Sequence, residues 1–392
     1  MHARSSFTAF GFILVALFFG AGAPTPLYVV YQERFGFSAI TLTLIFSVYV
    51  IALLVALVFA GRVSDHAGRK PVLYIGVTVQ LLGMVLFLVA DSTGWLLAAR
   101  AVQGVATGLA TSTLSAALLD TEPADHPGRG AVVSSAAPLA GLATGALGAA
   151  VLLQVGPDPL HFIYWLLIAV YAAALVLVAA QPEPLPGRGD WMASLRPRVA
   201  VPRHMVVTFV IVAPCMMATW ALGGLYLSLG PSLTVLLTGS SSHIVAGLVV
   251  VALMGTGALT GALTHNLSPQ RRMLGGASLV IAGVLVTIVA IAARSTVLLF
   301  AGSLVAGLGF GPSFGGVFKI LTELAEAHER AGLVAAIYVV AYSAFSIPAV
   351  IGGIAATHYG LRDTAIVYAS AVVVLAMVAT AAYSRQLRRV TC

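Results

Sequence analysis

The sequence predicts an all-α membrane protein of twelve spans arranged as two pseudo-symmetric six-helix bundles. Three observations carry this reading. Of 392 residues, 60% are hydrophobic and 8% charged. The mean hydropathy is +1.02. Apolar runs recur along the chain at about 20 residues each, the length that crosses about 30 Å of hydrocarbon as helix. A soluble globule is excluded, because its apolar share is nearer about half. The net charge of +7 does not point to nucleic acid, since the basic residues stand singly or in pairs between apolar runs and line no common face. Cys215, inside an apolar run, and Cys392, at the last position, make no disulfide framework.

The first run, 7–30, has the look of a signal peptide with a small-residue site at Ala21 and Ala23. Pro24 would follow the cut directly, and the run resumes through Leu27, Tyr28, Val29 and Val30, so a full retained span is expected. The second and third runs, 39–60 and 71–90, flank the turn Gly61 to Pro71, where Asp65, His66, Arg69 and Lys70 fall within six positions. Gly61 and Gly68 suit a tight turn, and Asp65 can offer its carboxylate to unpaired N–H groups at a helix start. The fourth, 95–118, holds Arg100, the one strong charge placed within a span, which needs a polar partner or water. The fifth, 131–153, carries Gly141, Gly145 and Gly148 for close helix packing, and the sixth, 162–180, is uniformly apolar.

A segment rich in Pro, Gly and Arg, Gln181 to Arg203, reads as a linker. Runs at 205–229, 243–263, 273–293, 297–318, 333–356 and 364–383 complete the set. The tenth includes Gly307 to Gly316 with Pro312, which can bend a helix. The halves repeat at an offset of about 200, with Gly61 opposite Gly261 and Arg69/Lys70 near Arg271/Arg272. The expected domains are therefore 1–180 and 204–392, joined by 181–203. Parallel repeats with a site between them are one architecture of secondary transporters. With both ends cytoplasmic, fifteen basic residues, Arg188, Arg196 and Arg198 among them, fall on inner loops and three on outer ones. That asymmetry sets the orientation in a cytoplasmic (inner) membrane.

Two stretches resemble family signatures. Gly61-Arg-Val-Ser-Asp65-His-Ala-Gly68-Arg69-Lys70 is similar to the motif between spans two and three of the major facilitator superfamily, and Arg100-Ala-Val-Gln103-Gly104-Val-Ala-Thr-Gly108 to a second motif in span four. The resemblance implies that fold, and a gating role for Gly61, Asp65, Gly68, Arg69, Asp120 and Arg129. Asp65 would cap the start of span eleven, and Arg69 would pair with Asp120 at the end of span four. The glycines of span five resemble the antiporter pattern of the family, although the proline of that pattern is absent, and this favours export over import.

All thirteen acids, from Glu33 through Asp190 to Asp363, fall in loops or at helix ends, so no carboxylate is available at mid-depth to carry a proton. Glu33, within reach of Arg100 but read first as a solvated loop acid, and Asp120 are the candidate carriers if protons are coupled. The walls that the family would use hold Tyr28, Tyr31, Tyr49, Met216, Met217, Trp220, Tyr226, Phe310, Phe314, Tyr338, Tyr342 and Phe345, a lining for hydrophobic or aromatic solutes, with Arg100 and Gln103 as further candidates for substrate or coupling. No phosphate loop, H-E-x-x-H or Cys/His cluster occurs, so no enzyme activity, cofactor or metal is expected. The expected function is export of small compounds by a monomer, with proton antiport as one option. An uptake permease or uncoupled facilitator is the first rival, and a non-transporting scaffold the second.

Overall fold

Lipid offers no hydrogen bonds, so an apolar chain must satisfy its own backbone, and helices do this within one segment. The computed structural model describes residues 2–125, 128–158, 160–185, 187, 189, 191–195, 199–239, 242–326 and 329–391, and Arg188, Asp190, Arg196, Arg198 and Cys392 lie outside the described residues. Among the described residues there are helices and no strands, and twelve helical spans are long and apolar enough to cross a membrane. Contacts divide the chain into two units, Met1–Phe37 with Leu44–Pro197, and Ser38–Thr43 with Arg198–Cys392.

In the first unit the opening span is not one helix. It consists of α1 (His2–Gly22) and α2 (Pro24–Phe35), separated at Ala23. Pro24 and Pro26 have no N–H, which leaves the Gly20 and Gly22 carbonyls without their usual partners four residues on. There follow α3 (Ala39–Ala60), α4 (Val63–Ala67), α5 (Arg69–Leu88), α6 (Thr93–Asp120), α7 (Arg129–Val155), α8 (Phe162–Ala180) and the short α9 (Trp191–Ser194). Helix α5 packs along α6 and α8, and α1 along α6 and α7.

The α1–α7 contact is made by glycine. A Cβ on Gly141 would fall 2.6 Å from the Val15 carbonyl oxygen, one on Gly145 2.0 Å from that of Phe19, and one on Gly148 2.8 Å from the Phe19 ring. Two of these obstacles are backbone and cannot swing aside. Gly145→Ala is therefore expected to destabilise the protein by about 1–3 kcal/mol through overpacking, read as a lower melting temperature in detergent. An unchanged melting curve would show that the two helices are not held this closely.

The second unit begins with a turn of 3₁₀ helix at Arg203–Met205, then α10 (Val206–Ser228), α11 (Gly230–Thr238), α12 (His243–Leu263), α13 (Pro269–Ala293), α14 (Thr296–Leu324), α15 (Arg330–Tyr359) and α16 (Leu361–Thr391). Residues 230–238, between the apolar runs at 205–229 and 243–263, are also helical. The helix breaks at Leu229, restarts with Pro231 in its first turn, and closes on Gly239 at φ 61°. Both units thus start with a broken helix. No break occurs at Pro312, and the surrounding glycines serve contact. A Cβ on Gly309 would lie 2.2 Å from the Gly276 oxygen, and one on Gly311 2.0 Å from that of Gly257, which binds α14 to α13 and α12.

Candidate functional site

The charged turn folds around Arg69. Gly68 has φ 94° and ψ 156°, a conformation that glycine alone adopts without strain, and it reverses the chain between α4 and α5. At Gly61 a Cβ would stand 2.4 Å from the Leu57 carbonyl oxygen, so this position also excludes a side chain. Arg69 is 5% exposed. Its Nε donates to Asp120 Oδ2 at 3.0 Å, and its Nη1 donates to Asp65 Oδ1 at 2.5 Å and Ser64 Oγ at 2.8 Å. One guanidinium therefore joins α4, α5 and the end of α6. Arg129 stands exposed at the start of α7, outside this cluster. Arg4 pairs instead with Asp125.

The start of α5 is met by a carboxylate from the linker. Glu183 occupies the position: its Oε1 accepts from the Arg69 backbone N–H at 2.8 Å and its Oε2 from that of Lys70 at 3.0 Å. These are orphan donors at the positive end of α5, where a negative charge is stabilised. Lys70 Nζ returns the contact, donating to the carbonyls of Ala179 at 3.0 Å and Gln181 at 2.6 Å. Gln181, itself buried, accepts from Ser6 at 2.9 Å. The start of the linker is thus bonded to the signature turn. Sequence reasoning counted Glu183 only as a loop acid, and its one local trace is the proline on either side, which stiffens Gln181-Pro-Glu-Pro.

A second centre lies at the break between α1 and α2. Gln103 Nε2 donates to the Gly20 carbonyl at 2.7 Å, the group that Pro24 leaves unbonded. Arg100 Nη1 donates to the neighbouring Ala21 carbonyl at 3.2 Å and to Gln103 Oε1 at 2.6 Å, while its Nε donates to the Tyr28 hydroxyl at 2.5 Å. The Arg100 Cζ lies 4.7 Å from the Tyr49 ring centroid and 5.4 Å from that of Tyr28, within cation–π range. Close approach of α3 to α6 is enforced at Gly104 and Gly108, where a Cβ would meet the carbonyl oxygens of Tyr49 at 2.3 Å and Leu53 at 2.5 Å. The R-x-x-Q-G stretch is therefore a splint for the broken helix. Glu33 is exposed and forms no ion pair with Arg100.

The third centre, in the second unit, is aromatic. Trp220 sits edge-on to Phe314, Tyr342 and Phe345 at centroid distances of 5.2, 4.7 and 5.5 Å. Tyr338 stacks on Tyr342 at 5.9 Å, and Phe318, absent from the expected lining, links Phe314 to Tyr338. The Trp220 indole N–H is buried without a partner among the described residues. Tyr226 does not join this cluster. Its hydroxyl bonds Ser303 at 2.8 Å between α10 and α14. Tyr31 likewise stacks on Phe35 and meets the Tyr164 hydroxyl at 3.3 Å.

A family model described as Major Facilitator Superfamily matches residues 9–349. The multidrug resistance protein MdtL of Klebsiella pneumoniae is 34% identical over 89 residues, and that of Escherichia coli 37% over 76. These matches span only 23% and 19% of the curated relatives and the same shares of this chain. Among solved structures, the human organic anion transporter MFSD10 (TETRAN) superimposes with a TM-score of 0.73 at 15% identity, covering 97% of this chain and 100% of its own. A bacterial homolog of the human lysosomal transporter Spinster, inward-facing and occupied, gives 0.76 at 14% identity over 98% and 97%. The nucleoside transporter NupG gives 0.72 at 14% identity over 96% and 99%.

Proposed function

The chain belongs to the Major Facilitator Superfamily and is a multi-pass membrane transporter, and from that premise we propose that it exports small hydrophobic or aromatic compounds by alternating access. The observation that carries the reading is the Trp220 cluster. Several edge-on rings around a buried N–H with no partner give an apolar surface and one donor, which suits an aromatic solute bearing a single acceptor. Partial likeness to proteins named for multidrug resistance supports export. The Arg69 cluster is the device that biases the two states, and the protein works as a monomer in the inner membrane with both termini in the cytoplasm.

Expression in a drug-sensitive bacterium should raise tolerance to at least one lipophilic compound. Asp65→Asn, which is isosteric but cannot hold the Arg69 charge, should remove that tolerance while the protein remains in the membrane fraction. Tolerance unchanged by expression across a broad compound panel would end the export reading. We further propose proton antiport with a carrier at a helix end, Glu33 being exposed while Asp120 is engaged by Arg69. Uptake into proteoliposomes should then follow an imposed pH gradient. Transport indifferent to the gradient assigns the protein as a facilitator.

A further inference from the structure

We propose that the guanidinium of Arg100 receives the anionic group of the transported compound, which makes the substrate class amphipathic organic anions, carboxylates foremost. This rests on the transport reading above and names the chemistry of its substrate. Arg100 is 1% exposed, and its protein acceptors are a phenol, an amide and a backbone carbonyl. None carries negative charge. A buried cation is ordinarily paired with an anion, because neutral dipoles recover only part of its lost hydration. The rings of Tyr28 and Tyr49 lessen that deficit without neutralising it.

Donors remain on the charged group. Nε and Nη1 are engaged, whereas Nη2 donates to none of the described residues. The Tyr28 hydroxyl accepts from Nε, so its own proton is also free to be given. Splinting the break at Ala23 does not require a charge, since Gln103 already bonds the Gly20 carbonyl with a neutral amide. What a cation adds at this point is affinity for a negative partner, through shorter and stronger charge-assisted bonds. The same break bounds the site, since Tyr28 rides on α2, which is separated from α1 at Ala23.

The test uses full-length protein purified in dodecyl maltoside at neutral pH, with 2-naphthoic acid, 4-phenylbutyric acid and ibuprofen each set against its own primary amide. At least one acid should raise the melting temperature, with an apparent affinity about tenfold or more above that of its amide. Arg100→Gln should lose the acid-induced shift, and Arg100→Lys should keep the preference for the acid at weaker affinity. The inference falls if amides bind as well as acids, if the shift survives in Arg100→Gln, or if no acid shifts the protein. Because the acid and amide comparison is made on the unmodified chain, it stands even if a variant fails to fold. Efflux of neutral compounds from cells in any of those cases leaves the export reading intact, whereas loss of all efflux removes both.

Discussion

Replacing Arg69 with alanine is expected to abolish transport and to lower stability. The guanidinium holds Asp65, Ser64 and Asp120 from three directions, and its removal leaves two carboxylates facing each other across an emptied space. The Asp65 and Asp120 side chains are 48% and 30% exposed, so solvent screens them. The cost is accordingly put at about 1–3 kcal/mol, below that of a fully buried pair. Arg69→Lys separates charge from geometry. A single ammonium cannot span the acceptors that the planar fork reaches, so most transport should be lost although the positive charge stays. Efflux assays on membranes containing equal amounts of each protein decide the matter. Full activity in Arg69→Ala would mean that the cluster has no part in the cycle.

Glu183→Ala is expected to impair transport nearly as severely, although this residue lies outside the signature. Two backbone donors at the start of α5 lose a charged acceptor, a change worth about 1–2 kcal/mol. Gly68→Ala attacks the same corner from the backbone side. Its φ of 94° strains any side chain, and the added Cβ would press within 3.3 Å of the Glu183 carboxylate. A cost of about 1–3 kcal/mol follows. The double variant should be less than additive, because both changes release the linker from the turn. Additive losses in melting temperature would show that the two residues act independently.

The fold was legible because apolar length is a local property: each run of about 20 residues announces its own helix. The breaks at Ala23 and Leu229 were harder, since Pro24, Pro26 and Pro231 are each followed by further apolar residues, so that a helix stops and restarts within a few positions. For Arg100 the sequence demanded a polar partner or water, and carbonyls with Gln103 were one reading; the partners found are Gln103, the carbonyl of Ala21 and, unforeseen, the Tyr28 hydroxyl. A proline frees the carbonyl four positions before it, and that rule applied to Pro24 would have pointed to Gly20 as an acceptor awaiting a donor. Glu183 was out of reach, because its partners lie over a hundred positions earlier and nothing periodic connects them. The aromatic lining was readable as a composition but not as a grouping. Tyr226 and Tyr31 have the right chemistry and stand elsewhere.

The binding of Gln181 and Glu183 to the signature turn bears on how the gene can be divided. A laboratory making the halves as separate polypeptides would naturally cut where the sixth apolar run ends, at Ala180. Such a cut strips Lys70 of the Gln181 carbonyl and the start of α5 of the Glu183 carboxylate, and hands both groups to the wrong fragment. Cutting after Ser194 keeps each fragment furnished with the groups it folds against.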